Sequence, residues 1–211
     1  LDWCSYEAAK YACEKWHYSK TIPKGAGNYI GVWEDEEYIG VIIYGFSISP
    51  SVGMTYGLSQ FQISELRRVA LKTHKTPVSK LISISMKFFK KHNPKVEMLV
   101  SYADTLQNHH GGIYQAGNWV YVGGSSAMTQ YKINGKWRND THAYNEKKHL
   151  STESRIVPAK HKYLYPLTDD MRSKIEPLRK PYPKRASVVH NVEQPAYQQE
   201  EGGSIPTLTH T

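Results

Sequence analysis

The chain has 211 residues, enough for one domain with a real core, and its 39% apolar and 12% aromatic content (16 of the 25 aromatics are Tyr) is globular but polar. Its formal net charge of +8 favours an anionic partner such as nucleic acid, a nucleotide or an acidic surface. There is no secretory apolar core and no run approaching the roughly 20 apolar residues of a membrane span, so no membrane partner and a reduced, cytoplasmic setting are expected.

Residues 5–18 place Ala9, Ala12, Cys13 and Trp16 at helical spacing behind Ser5, a predicted N-cap. Cys4 and Cys13, nine residues apart, fall on opposite faces of this predicted helix at about 100° per residue and cannot pair. Its end carries His17-Tyr18, read either as a functional pair or as a surface His complementing the helix dipole. Pro23, Gly25 and Gly27 stop the helix, and Tyr29–Trp33 and Tyr38–Phe46 read as a hairpin across the acidic turn Glu34-Asp35-Glu36-Glu37. After a loop at 47–60, residues 64–71 (SELRRVAL) alternate as a strand, so that Arg67 and Arg68 point to opposite faces and one of them meets the covered side or a cleft.

Thr76-Pro77 predicts an N-cap with Pro at the first helical position, followed by Val78, Leu81, Ile82, Ser85, Phe88 and Phe89 on one helical face. Lys72, His74, Lys75 and Lys80 surround that start, where free N–H groups attract anions. The alternatives are a phosphate site and a solvated basic turn.

The most informative stretch is 96–122. An apolar strand at 96–103 runs into Ser101, Tyr102, Asp104, His109 and His110, two glycines, a short segment holding Tyr114, and an aromatic strand from Trp119. Groups at the carboxyl end of such a strand line ligand crevices in open sheets, although Asp104 alone also reads as a turn former. His17, Asp104, His109 and His110 are donors suited to a divalent first-row metal, and two histidines with one carboxylate suit ferrous iron (Fe2+). Gly111 and Gly112 would allow a ligand to approach the backbone closely. The order of elements gives an α/β (α+β) class with a mixed central sheet flanked by helices.

Beyond residue 150 the character changes: seven of eleven prolines lie at 158–206, and nine Lys or Arg face three Asp or Glu between Arg155 and Arg185. The expected organisation is a catalytic domain at 1–150, an extended basic Pro/Tyr-rich C-terminal segment at 151–192 that tracks phosphates, and a disordered tail at 193–211. The competing arrangement has Tyr163, Leu164, Tyr165 and Leu167 packing back onto the sheet.

Two resemblances follow from these motifs. SELRRVAL (64–71) and GIYQAGNWVYVG (112–123) resemble the GNAT acyltransferases, whose glycine-rich coenzyme A loop is replaced here by Lys72-Thr73-His74-Lys75-Thr76-Pro77. More closely, KWHYSKTIP (15–23), IGVWED (30–35), YGL (56–58), ELRRVALKTHKTPVSKL (65–81) and VSYAD with HHGGIYQAGNWVYVG (100–123) resemble the Mom family of phage DNA-modification proteins. That resemblance implies a GNAT-like fold, conversion of adenine in DNA to an N6-carbamoylmethyl form that blocks restriction, involvement of iron, and action in the cytoplasm of the bacterial host.

On this reading double-stranded DNA is the partner, with a homodimer also entertained. His17, Tyr18, Glu65, Arg68, Ser101, Asp104 and Tyr114 form the expected catalytic set, with Tyr114 as general acid or oriented hydroxyl and Arg68 with Glu65 positioning ligand. His17, Asp104, His109 and His110 form the expected metal set. Lys72, Thr76, Val78, Ser79 and Lys80 would hold a cofactor, acetyl-CoA or another acyl or glycyl donor. The rival activity is GNAT acetyl transfer to a small amine or a protein.

Overall fold

The structure, a computed structural model, describes residues 1–46, 51–139 and 153–185. The elements are β1 (Asp2–Trp3), α1 (Tyr6–Trp16), β2 (Ala26–Glu34), β3 (Glu37–Gly45), α2 (Ser51–Met54), β4 (Ile63–Leu71), α3 (Val78–His92) and β5 (Met98–Ala103). There follow α4 (Gly112–Ala116), β6 (Val120–Gly124), β7 (Met128–Ile133), β8 (Lys136–Asn139), β9 (Ser154–Val157), β10 (His161–Pro166) and α5 (Asp169–Ile175). Seven strands form one sheet in the order β1-β2-β3-β4-β5-β10-β6, and β8-β7-β9 form a second, smaller one. This is the mixed α+β architecture expected.

Ser5 caps α1 as expected, its hydroxyl accepting from the Ala8 N–H at 3.1 Å. Ala9, Ala12 and Cys13 then pack on Val41, Ile43 and Ala70. Cys4 lies ahead of the helix rather than in it, and both thiols are free. The opposite face of the sheet receives α3, where Leu81, Ile82, Met86 and Phe89 meet Ile42, Tyr44, Leu66 and Leu99. Because Leu99 and Val100 alternate, Val100 faces away from α3 and joins Leu164, Met171 and Ile175, so α5 covers the α1 side of the sheet further along.

The break that matters lies between β4 and β5. They pair in parallel, Ile63–Glu65 against Met98–Val100, and beyond that register each continues without the other. The Ser101 hydroxyl donates to the Leu66 carbonyl at 2.8 Å just past the last pair, and there the strands part.

The expected boundary at residue 150 is corrected. His161–Pro166 pairs antiparallel with the whole of β5 and, on its other edge, with β6, so a segment read as an extended arm is an interior strand. Tyr163 and Leu164 are fully buried on its two faces, which is the competing arrangement named above. Pro158 lies before the strand and Pro166 closes it, positions where a missing N–H costs no interior pairing. The tail at 193–211 lies outside the described residues.

Candidate functional site

The gap between β4 and β5 gathers chemistry from five segments. Arg68 lies on β4 opposite Ile43, on the α1 side, so its neighbour is the C-cap of α1, His17. Arg68 Nη1 stands 3.5 Å from His17 Nδ1. Arg68 Nε is buried with no hydrogen-bond partner among the described residues, a donor left open inside the site. Arg67, the unpaired residue where the β3–β4 register shifts between the Ile43–Arg68 and Tyr44–Leu66 pairs, donates to the Lys24 carbonyl at 2.5 Å.

Ser19 fixes His17. Its backbone N–H donates to Nδ1 at 3.1 Å, which makes Nδ1 the acceptor and puts the proton of the neutral ring on Nε2. Burial, reinforced by Arg68, His109 and Lys20, pulls the imidazole's pKa down to about 4. His17 therefore offers an N–H donor at neutral pH. Its ring lies 4.2 Å from that of Tyr18, which meets His109 edge-on at 5.7 Å, so three rings wall one side of the gap.

Across the gap the Ser101 and Tyr114 hydroxyls are 2.8 Å apart. A carbonyl can only accept, so Ser101's single proton goes to Leu66, and Tyr114 is the donor to Ser101. Tyr114 is only 8% exposed, and burial pushes its hydroxyl up to about 12. Of the two roles expected for it, oriented hydroxyl is the one this geometry suits. Glu65, 6% exposed, lies close enough to Tyr114, Tyr102 and Arg68 to act on the ionisation of all three. Asp104 caps the turn after β5 through the Leu106 N–H at 3.1 Å, pairs with Lys160 at 3.3 Å, and acts electrostatically on Tyr18.

A model of the Mom protein family matches residues 1–184. The chain belongs to the Mom protein family. Among its relatives, methylcarbamoylase mom of Escherichia phage Mu is 28% identical over 128 residues, 59% of this chain and 53% of that protein, so the chain spans about half the length of this curated relative. A crystal structure of a probable acetyltransferase from Staphylococcus epidermidis superposes with a TM-score of 0.47 at 10% identity, covering 80% of this chain and 96% of the other.

Two groups are expected from the sequence, iron from the Mom resemblance and an acyl donor such as acetyl-CoA from the GNAT one. Among the described residues no three His, Cys, Asp or Glu side chains are grouped to hold a metal ion. Of the expected iron ligands, three reach the gap and His110 does not. His17 and His109 share the ring wall and Asp104 is engaged by Lys160, while His110 lies against Gly112 and acts on His161.

The loop before α3 is likewise not an open anion site. Glu34, from the acidic hairpin turn, accepts from the N–H groups of Lys75 (2.7 Å) and Thr76 (2.9 Å) and from the Thr76 hydroxyl (2.6 Å), which hold its carboxyl at about 2. Lys72 is paired with Glu37, and Lys75 with Asp35 at 2.7 Å. Thr76 is thus not the cap of α3; Pro77 takes that place without a side-chain bond, ahead of Val78 and Ser79, and Lys80 closes the first turn on the Pro77 carbonyl. A diphosphate brought to this loop would meet carboxylates, so the loop does not fit coenzyme A.

The sequence had pointed to His17, Tyr18, Glu65, Arg68, Ser101, Asp104, His109 and Tyr114, and the fold brings these to one gap. It missed Ser19 and Lys160. Ser19 was findable, two residues beyond His17, whereas Lys160 sits in a segment read as separate. A cavity of about 390 Å³ lined by Phe46, Phe61, Ser64, Phe89 and His92 shares no residue with the site.

Proposed function

We propose that this Mom-family chain is a transferase that modifies phage DNA, placing a carbamoylmethyl group on adenine N6 in the bacterial cytoplasm. The family match over residues 1–184 supports the class of reaction, and a relative named methylcarbamoylase supports the group transferred. One observation carries the reading into geometry: two donors at the gap, the buried and unpartnered Arg68 Nε and the neutral His17, beside a wall of aromatic rings.

Adenine N6 is stacked in the duplex and its lone pair is delocalised, so the base must be extruded into a pocket with ring-bearing walls. His17, Tyr18 and His109 provide such walls. The carbamoylmethyl group is joined through its CH₂. The N6–C bond therefore forms as the bond from that carbon to its leaving group breaks, the leaving group keeps the electron pair, and N6 gives up a proton. In this reading Asp104 accepts that proton, while Arg68 and His17 hold the amide oxygen of the incoming group and so fix its carbon for in-line attack.

Mass spectrometry of nucleosides from DNA of cells expressing the chain tests this. Adenosine heavier by one carbamoylmethyl group is expected, and unmodified adenosine in cells with abundant folded protein would overturn the assignment.

A further inference from the structure

The second sheet stands apart from the main one and carries an unbalanced charge. Its segments, residues 128–139 and 153–157, hold Lys132, Lys136, Arg138 and Arg155 against a single acid, Glu153, which Lys132 takes at 2.7 Å. The base of this ribbon is tied to the site. Thr105, next to Asp104, donates its hydroxyl to the Ala159 carbonyl at 3.1 Å, Ser125 and Lys160 exchange hydrogen bonds, and Lys160 pairs with Asp104 itself.

The register gives the ribbon a worked face. Gln130 opposes Arg155 and Lys132 opposes Trp137, so these four side chains lie on one side. The Arg155 guanidinium covers the Trp137 ring at 4.3 Å, with the Lys132 ammonium 5.9 Å from its centroid. Lys136, just past the hairpin turn, is exposed, and Ile156 on the other side is 78% exposed.

We propose that the ribbon β8-β7-β9 is the surface that docks duplex DNA beside the site. The inference rests on the DNA-modifying reading and adds where the duplex is held. A two- or three-stranded ribbon fits the width of the major groove, and clustered Lys and Arg match its phosphate rims. Protein interfaces are depleted in Lys, which argues against a protein occupant. Single-strand binders leave aromatic faces open for bases, whereas Arg155 lies over the face of Trp137.

The test uses the full chain and a fluorescent 20-base-pair duplex, with anisotropy read over a salt series. Lys136→Gln combined with Arg155→Gln is expected to weaken binding roughly tenfold at moderate salt and to make the log–log salt slope shallower by about 0.9 for each phosphate no longer neutralised. A photo-crosslinking residue in place of Lys136 is expected to trap duplex DNA, a readout that stands even if the double variant is unstable. A wild-type chain that modifies adenine while the variant keeps its affinity and slope, with no crosslink from position 136, overturns the ribbon and leaves the activity standing. Preferential crosslinking to single-stranded DNA or to protein overturns it as well. If the wild-type chain neither binds duplex nor modifies adenine, the failure lies in the functional reading beneath it.

Discussion

At neutral pH His17 is an uncharged donor because its surroundings refuse it a proton. Burial withholds water from the imidazolium, and Arg68, His109 and Lys20 repel it. Above pH 6.5 folded and unfolded chains are both neutral at this ring, and between 6.5 and about 4 only the unfolded chain binds the proton, so stability falls with falling pH across that window. An NMR titration should place His17 near 4 in the wild type and higher, short of 6.5, in Arg68→Gln, because burial is the larger cause and stays. An unmoved midpoint would remove Arg68 from the account. His17→Ala should cut adenine modification about a hundredfold or more with little change in melting temperature, the size expected for losing one preorganised donor. Tyr114→Phe should do the reverse. Its proton is turned inward to Ser101, so the variant loses about 1 kcal/mol of stability and keeps modification within several-fold, whereas a general acid would cost roughly 10²–10⁴-fold. Alternation in SELRRVAL made one inward arginine legible, and the end of the first helix made His17 legible. Their meeting was not, because it depends on which face of β4 the helix α1 covers.

At the scale of elements, the acidic turn between β2 and β3 and the basic loop before α3 each announced themselves in the sequence, but as separate features. Neither pattern says that the two dock, since nothing local encodes a contact between loops so far apart in the chain. Glu34 at that junction has its carboxyl pKa held down, so its contribution is present above pH 4.5 and is lost as pH falls towards 2. Glu34→Ala should lower the melting temperature at pH 7 and flatten the further decline between pH 4.5 and 2 in thermal melts. Wild-type-like melts across that range would show that the docking adds nothing. The glycine pair at 111–112 was legible as a place of close approach, and what approaches Gly111 is the chain itself. With φ at +81° as the cap of α4, Gly111 would put a Cβ 2.4 Å from the Tyr163 ring. Gly111→Ala should therefore cost more than the roughly 1–2 kcal/mol of a left-handed backbone alone, read from denaturant unfolding.

For the molecule as a whole, the decisive fact is that one of its last strands is interior. The apolar run Tyr163 to Leu167 was visible, but nine basic residues and clustered prolines around it read as a solvated arm, since charge counts do not reveal that a short strand among them is buried on both faces. A chain ending at residue 157 would lose β10 and α5 together, and with them the burial of Tyr163, Leu164, Met171 and Ile175. At about 1.5–3 kcal/mol for each large apolar side chain, that loss rivals the roughly 5–15 kcal/mol that holds a domain folded, so circular dichroism should show no cooperative melt for this truncation. A sharp melt near the wild-type temperature would mean that the core closes without β10. The same placement bears on when the chain can act during its synthesis. Among the described residues β6 joins the main sheet by pairing with β10, and Lys160, the partner of Asp104, is made in the same late stretch. The ribosome must therefore have passed Pro166 before the sheet can close around the gap, and pairings this far apart in sequence form slowly. Copies that stop short of β10 therefore lack a closed gap, and the chemistry of the gap belongs to the finished chain alone.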